Sequence, residues 1–171
     1  MKLIPIEVKD FEAVYGKMEA AFIREERRDI EPARALLQNP LYKMYHLEED
    51  GERVGFVALW TLGEWAFVEH LAIDAQYRNR GYGAMALEVL KKRFSKIVLE
   101  VEQPVTEMAA RRIGFYERCG FCRNDYPYRQ PSYREAGGEI DMFLMTYPTL
   151  CEDCTPIVKL LYGNVYHVPF A

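Results

Sequence analysis

The pattern of hydrophobic and polar positions divides the chain into strand-like and helix-like segments. Weak alternation over residues 3–8 predicts a first strand, and apolar residues at helical spacing over 11–22 predict a helix that Asp10 caps. Short apolar runs then predict three strands, which cover residues 43–48, 53–60 and 65–73. The Asp50-Gly51 dipeptide between the first two is typical of a tight hairpin turn. The first half is therefore expected to form an antiparallel meander.

The second half alternates helical and strand patterns. Helices are predicted over residues 81–94 and 106–119, and strands over residues 96–101, 121–128 and 140–147. The whole pattern predicts one α+β domain over residues 1–147, with a mixed, mostly antiparallel central sheet flanked by helices. Residues 148–171 form an extension with a short helix from Thr155, expected to pack on the domain or on a second subunit of a homodimer.

A run of charged residues over 24–29 separates the first helix from the meander. It predicts a solvated connection, although a loop of this kind can also lie over an active site. Pro32 suits the first turn of a short second helix that ends near Gln38.

The composition narrows the possible classes of function but does not identify one. The chain has 171 residues, of which 50% are hydrophobic, enough for one domain with a substantial core. A net charge of −4 argues against a nucleic-acid binder, which normally shows a basic face, but it leaves room for a basic pocket for one anionic ligand. The apolar runs are too short to cross a bilayer, and the N-terminus resembles no secretory signal, so we expect a cytoplasmic protein without membrane partners.

The segment that joins the 65–73 strand to the 81–94 helix has the composition of a phosphate-binding turn. Its residues are Arg78, Asn79, Arg80, Gly81, Tyr82, Gly83 and Ala84. Glycines let backbone N–H groups approach a ligand, and a helix N-terminus directs its unpaired amides and positive dipole end at the same point. The two arginines add full positive charges. The segment therefore predicts a site for a pyrophosphate.

Two other interpretations of this turn stay open. The glycines can serve a tight turn alone, with both arginines in solvent. The run 81–86 also fits the dinucleotide fingerprint G-x-G-x-x-A, with Glu100 nineteen residues after Gly81. Against that, seven residues (74–80) separate the strand from the first glycine, and antiparallel strands come first. A P-loop is excluded because no Gly-Lys-Ser/Thr follows.

Two motifs together carry a family resemblance. The strand 65–73 followed by Arg78–Gly83 fits the pattern [R/Q]-x-x-G-x-[G/A], and residues 113–121 (Ile-Gly-Phe-Tyr-Glu-Arg-Cys-Gly-Phe) fit a helix ending in F-Y-x-x-x-G-F. On these residues the chain resembles the GNAT superfamily of acyl-CoA-dependent N-acyltransferases. The resemblance covers about residues 3–147.

The resemblance implies an acetyltransferase that takes acetyl-CoA as donor and needs no metal. The acceptor is implied to be a small-molecule or peptide amine, acetylated directly in a ternary complex. Pantetheine is implied to lie along the backbone of Leu71, Ala72 and Ile73, and the pyrophosphate in the 78–84 turn. One departure is Ala109, which stands where many members carry an Asn that contacts pantetheine.

Acetyl transfer needs a neutral amine and a proton for the departing thiolate. The resemblance implies that Tyr116 is the general acid, since a phenol with a pKa of about 10 stays protonated at neutral pH. A plain core tyrosine is the alternative. Glu69 is the candidate base, although a carboxylate needs burial or a relaying water for this role. A salt-bridged Glu69 is equally open, and His70, on the other face of the strand, is expected to be structural.

The remaining chemistry-bearing residues give weaker signals. Two C-x-x-C pairs, at 119–122 and 151–154, have the ligand types of a zinc site, but their separation exceeds the usual spacing, so no metal is expected. We expect an aromatic acceptor pocket that includes Tyr126, Tyr128, Tyr133 and Tyr147. Two other functions stay open, a non-catalytic acyl-CoA-binding module and an NAD(P)-binding domain.

Overall fold

The structure is a computed structural model that describes residues 1–134 and 137–170. The chain divides into two compact units. The first comprises Met1–Thr61 and Val68–Arg93, and the second comprises Leu62–Phe67 and Phe94–Ala171.

A meander of strands forms the sheet of the first unit. The strands are β1 (Lys2–Pro5), β2 (Tyr42–Glu49), β3 (Glu52–Leu62) and β4 (Trp65–Ile73), with each paired to the next. The β1–β2 and β2–β3 pairs are antiparallel. Asp50 and Gly51 have φ values of 50° and 82°, the left-handed conformation that a tight hairpin turn requires. The predicted hairpin is therefore confirmed, while β1 ends three residues earlier than expected.

Three helices belong to the first unit: α1 (Phe11–Ala21), α2 (Ile30–Ala35) and α3 (Tyr82–Arg93). The predicted apolar face of α1 is buried, and Pro32 lies in the first turn of α2. The predicted Asp10 cap is wrong, because the side chain makes no capping hydrogen bond. Its carboxylate lies 3.7 Å from His46 Nε2 and 3.8 Å from an Arg53 nitrogen instead.

The second unit is organised around one long strand. Its strands are β5 (Lys96–Glu102), β6 (Cys122–Arg123), β7 (Tyr128–Gln130) and β8 (Ile140–Tyr147), and β8 pairs antiparallel with the other three. The single strand predicted over 121–128 is wrong. The chain pairs with β8 only in two short pieces, because the backbone N–H of Asn124 is the last to reach the Leu144 carbonyl, at 2.9 Å, and Pro127 has no N–H for a ladder bond. The Asn124 side-chain amide donates to the same Leu144 carbonyl at 3.0 Å.

Helix α4 (Glu107–Arg118) begins as predicted, with the Thr106 hydroxyl accepting the Ala109 N–H at 3.1 Å. After β8, α5 (Thr155–Leu160) runs into a π-helical turn over Leu161–Tyr166. The Tyr162 hydroxyl donates to the Arg129 carbonyl at 2.6 Å, which holds this turn on β7. A homodimer contact through the extension stays a prediction.

The fold is of the predicted class, α+β with a mostly antiparallel sheet flanked by helices. Within residues 1–134 and 137–170, no helix is long and apolar enough to cross a membrane.

Candidate active site

The turn between β4 and α3 has an open, positively charged surface. After β4 ends at Ile73, a 3₁₀ turn over Ala75–Tyr77 leads into residues 78–81, and α3 begins at Tyr82. Asn79 and Gly81 have φ values of 61° and 80°, so the chain reverses through the left-handed region. A Cβ built on Gly81 would meet no atom within 4 Å. The space in front of Gly81 is therefore open to a ligand.

Backbone and side chains of the turn both favour an anion. The first helical hydrogen bond joins the Met85 N–H to the Gly81 carbonyl at 3.1 Å, so the N–H groups of residues 82–84 have no partner within the helix. These N–H groups point out of the helix N-terminus, where the positive end of the helix dipole lies. Arg78 and Arg80 are exposed, and Arg78 Nε donates to the Ile73 carbonyl at 3.1 Å. The turn can therefore bind a phosphate group by amides and charge together.

A cleft of about 410 Å³ adjoins this turn in the first unit. Residues from α1 and from the end of β4 line it, together with Arg78. Lys17 and Asp74 lie in its wall as an ion pair, with 2.5 Å between Nζ and Oδ2. Ala72 and Ile73, two of the three residues predicted to hold pantetheine, line this cleft. The third, Leu71, precedes them on β4.

Glu69 lies on β4 with its side chain only 1% exposed. Arg28 Nη1 donates to its Oε1 at 2.5 Å, and the Arg28 side chain is itself 11% exposed. Burial alone would raise the pKa of Glu69, but the Arg28 guanidinium, with smaller contributions from His70 and the indole N–H of Trp60, holds that pKa below its ordinary value. The carboxylate is therefore ionised and paired in this state.

The charged connection at 24–29 is only partly solvated: Arg24, Glu25 and Asp29 are exposed, whereas Arg27 and Arg28 turn inward. Arg27 is 12% exposed and pairs with Glu19 at 3.0 Å, while Arg28 reaches Glu69, so the prediction of a solvated connection is wrong for both arginines. Buried carboxylate and hydroxyl partners on α1 and β4 draw these side chains inward. Sequence analysis missed Arg28, because its partner lies 41 positions away in the chain.

His70 anchors the same connection from β4. Its Nε2 lies 2.9 Å from the Glu26 carbonyl oxygen, and its ring meets the edge of Phe22 with 4.7 Å between centroids. Burial lowers the pKa of His70. These contacts give His70 the structural environment expected from its position on the strand.

Tyr116 lies on α4 in the second unit, half-buried between aromatic rings. Its ring centroid is 5.2 Å from that of Phe115 and 5.8 Å from that of Phe121. Burial raises the pKa of Tyr116 above its ordinary value of 10.0, so the phenol is protonated at neutral pH. The side chain can therefore donate a proton but is not poised to lose one spontaneously.

The tyrosines predicted to form an acceptor pocket have partners within the second unit. Tyr128 donates to the Glu100 carboxylate, which Gln130 Nε2 and the Tyr166 hydroxyl also reach, each at 2.7 Å. Tyr126 lies 3.2 Å from the Thr155 hydroxyl. Further ring contacts join Tyr133 to Tyr166 and Tyr147 to Phe121. Sequence analysis missed this Glu100 cluster, and the signal for it was a carboxylate inside the apolar β5 run.

The family follows from a sequence comparison. Residues 7–121 match the profile of the acetyltransferase (GNAT) family. The chain belongs to this family. No curated protein is significantly similar in sequence.

Solved structures agree with this assignment. A chain from Bacteroides thetaiotaomicron, described as an acetyltransferase from the GNAT family, is 34% identical with a TM-score of 0.93, over 99% of this chain and 100% of that one. The ribosomal-protein-S18-alanine N-acetyltransferase of Escherichia coli is 23% identical with a TM-score of 0.59, over 90% and 97%. A spermidine N-acetyltransferase SpeG variant from Vibrio cholerae is 14% identical with a TM-score of 0.63, over 85% and 94%. The last two share the fold alone.

The protein is thus an acyl-CoA-dependent acetyltransferase, of a family that takes acetyl-CoA as substrate. This assignment favours CoA over a dinucleotide as the ligand of the glycine turn. The four cysteines are free thiols; Cys119 is the C-cap residue of α4, and Cys122 is the first residue of β6. Over the part of the chain that the structure describes, no group of three or more His, Cys, Asp or Glu side chains could hold a metal ion.

Proposed function

We propose that this protein transfers the acetyl group of acetyl-CoA to a primary amine by direct attack in a ternary complex. The observation that carries the proposal is the β4–α3 turn, where open space before Gly81 coincides with free helix amides and two exposed arginines. A buried or carboxylate-paired turn would be a poor site for a pyrophosphate. Neighbours of the same fold named for alanine and spermidine acetylation support an amine as acceptor.

We assign the cofactor contacts as part of this proposal, and the geometry of the turn supports them. The amides of Gly81, Tyr82, Gly83 and Ala84 bind the pyrophosphate oxygens, and the residues from Arg78 to Arg80 supply charge and backbone donors at the mouth of the turn. Leu71, Ala72 and Ile73 present strand backbone to the amides of pantetheine. The Gly55 backbone on β3 packs closely on this part of β4, since a Cβ there would lie 2.2 Å from the Ala72 carbonyl oxygen.

The reaction needs a proton at the sulfur as the thioester breaks. The amine nitrogen attacks the acetyl carbon, a tetrahedral intermediate forms, and the C–S bond breaks to release the thiolate. Tyr116 donates its phenolic proton to that sulfur, a role that its raised pKa supports because the acid form is present at neutral pH.

Glu69 is the proposed acceptor of the proton that the amine loses. Its lowered pKa makes it a weak base while Arg28 is bound to it. Proton transfer therefore needs either a relaying water or a change in this ion pair.

The test of the proposal is the Tyr116→Phe substitution. It removes one hydroxyl, so packing and CoA affinity should persist while kcat falls by about 10²–10³-fold if thiolate protonation limits the rate. A thiol-release assay over a panel of amines, with polyamines and N-terminal peptides first, identifies an acceptor for the measurement. Tyr45→Phe, which removes a hydroxyl from the buried core of the first unit, is the matched control and should keep kcat.

If kcat of Tyr116→Phe stays within twofold of wild type when chemistry limits the rate, Tyr116 is a packing residue. Binding of CoA without turnover on any amine would instead indicate the non-catalytic module.

A further inference from the structure

Two cysteines lie in the segment that joins β8 to α5, within the second unit. Cys151 is half-buried, and Cys154, which is 0% exposed, immediately precedes α5. The Cys154 thiol donates to the Cys151 carbonyl at 3.8 Å, and the Cys151 thiol donates to the Asp153 carbonyl at 3.1 Å. A sulfur that solvent reaches and a sulfur that is protected therefore lie within one turn of the chain, and the acetyltransfer mechanism uses neither.

The backbone around the two cysteines is held by contacts that involve neither sulfur. The Cys151 N–H donates to Oδ1 of the buried Asn124 at 2.7 Å. The Asp153 carboxylate accepts the Thr155 N–H at 2.9 Å, which fixes the chain at the start of α5. A backbone that is fixed on both sides of a reacting pair lowers the entropy lost when the two groups join. The loop therefore favours a reaction between these two sulfurs.

The two thiols differ in how readily they react with an external reagent. Burial raises the pKa of Cys154 to about 12, and contact with the Cys151 thiol and the charge of Asp153 contribute smaller amounts in the same direction. Cys154 therefore stays protonated at neutral pH, and its burial keeps reagents in solvent away from it. Cys151, which solvent reaches, meets an external reagent first.

We propose that Cys151 and Cys154 are a redox-active pair, which a low-molecular-weight disulfide oxidises reversibly to a disulfide within the loop. The pair is a modification site at the junction between the α+β domain and the C-terminal extension. In a reducing compartment a disulfide of this kind is transient and responds to the supply of oxidant. The site is independent of the acetyltransfer mechanism.

The oxidation consists of two thiol–disulfide exchanges. The Cys151 thiolate attacks one sulfur of the external disulfide, whose S–S bond breaks, and the other half leaves and takes up a proton. Cys154 then loses its proton to solvent and attacks Cys151 Sγ. The mixed S–S bond breaks, and the second half leaves as a thiol. The two cysteines lose two electrons, the external disulfide gains them, and an excess of external thiol reverses both steps.

A second cysteine pair has the same spacing in the sequence but a different place in the fold. Cys119 is the C-cap residue of α4, and its N–H donates to the Phe115 carbonyl at 3.1 Å. Cys122 is the first residue of β6, where it pairs with Thr146 of β8. The helix end and the strand assign these two cysteines to separate elements, whereas Cys151 and Cys154 share one loop. The 119–122 pair is therefore an internal control for the effect of spacing alone.

The first test oxidises the wild-type protein in buffers of reduced and oxidised glutathione, followed by acid quenching, alkylation and tryptic mass mapping. Trypsin releases the two pairs on separate peptides, residues 119–123 and 135–159. The measured quantity is the oxidation equilibrium constant of the 151–154 pair divided by that of the 119–122 pair, in folded and in urea-unfolded protein. We expect folding to raise this ratio by at least about tenfold, because only the fold holds the 151–154 pair together. A ratio that does not rise on folding overturns the proposal.

The second test assigns the two roles within the pair. Cys154→Ser should accumulate a glutathione mixed disulfide on Cys151, because the thiol that resolves it is absent. Cys151→Ser should leave Cys154 unmodified, because a buried thiol with a raised pKa is not attacked from solvent. The Cys119→Ser/Cys122→Ser double variant is the matched control and should form the 151–154 disulfide as wild type does. A glutathione adduct that persists on Cys151 of the wild-type protein while Cys154 stays reduced overturns the proposal.

Discussion

Two arginine-bearing segments of the first unit have opposite environments. In the β4–α3 turn, Arg78 and Arg80 are exposed, and neither forms an ion pair within residues 1–134 and 137–170. In the α1–α2 connection, Arg27 and Arg28 are almost buried and pair with Glu19 and Glu69.

The difference teaches what an arginine contributes in each place. In the turn, the charges lie beside free helix amides and stay available to an anionic ligand. In the connection, the charges neutralise carboxylates of the protein, and in the buried Arg28–Glu69 pair the cost of desolvating both partners makes each depend on the other. Both segments carry arginines, and the partner that each guanidinium meets distinguishes an arginine that is open to a ligand from one that is paired within the protein.

The largest effect is expected for Gly81→Glu. The substitution places a negative side chain in the open space before the turn and strains a residue at φ 80°, so CoA affinity should fall by more than about 10³-fold, roughly 4 kcal/mol. Gly51→Glu is the matched control, since Gly51 has φ 82° and equal open space but lies in the β2–β3 hairpin. Calorimetric titration of CoA measures both. Wild-type affinity in a folded Gly81→Glu protein would show that the turn does not bind the cofactor.

An effect of intermediate size, on the free energy of unfolding, is expected to distinguish the arginines of the two segments. Arg28→Ala leaves a buried carboxylate without its cation and should lower the free energy of unfolding by about 3 kcal/mol, less at acid pH where Glu69 takes up a proton. Arg80→Ala should change the free energy of unfolding by less than about 0.5 kcal/mol, because the Arg80 guanidinium is exposed. Urea unfolding of both variants checks this. Equal stability losses would abolish the distinction between the two segments.

The smallest effect is a loss of stability as the pH falls from 7 to 6. Burial lowers the pKa of His46 and His70 in the folded state, so unfolding takes up protons as the pH falls below the unfolded value near 6.5. The stability that the two neutral histidines contribute is fully present above that value. The free energy of unfolding should therefore fall by roughly 1 kcal/mol or less between pH 7 and pH 6. His70→Asn should flatten this slope, as measured by Tm against pH. An unchanged slope in that variant would indicate that His70 is readily protonated in the fold.

The sequence predicted features whose causes are local. The hairpin at Asp50-Gly51, the Thr106 cap and the glycine turn each depend on residues within a few positions of one another, and all three formed as expected. The family motifs drew attention to Tyr116 and Gly81 for the same reason.

Features that depend on residues far apart in the chain were not predicted from the sequence. Arg28 is drawn inward by Glu69, 41 positions away, and Asp10 turns from its helix to His46 and Arg53. The Asn124 side chain donates to the Leu144 carbonyl, 20 positions away, inside the segment that was predicted to be one strand. No periodicity records such pairings, since each depends on how the elements pack.

The most direct test of the central claim, that the β4–α3 turn binds the pyrophosphate of CoA, is a calorimetric titration of the wild-type protein with CoA and, separately, with NADH. The account predicts saturable one-site binding of CoA, weakened by added salt as exposed arginines require, and no heat of binding with NADH. Saturable binding of NADH that CoA does not displace would contradict it.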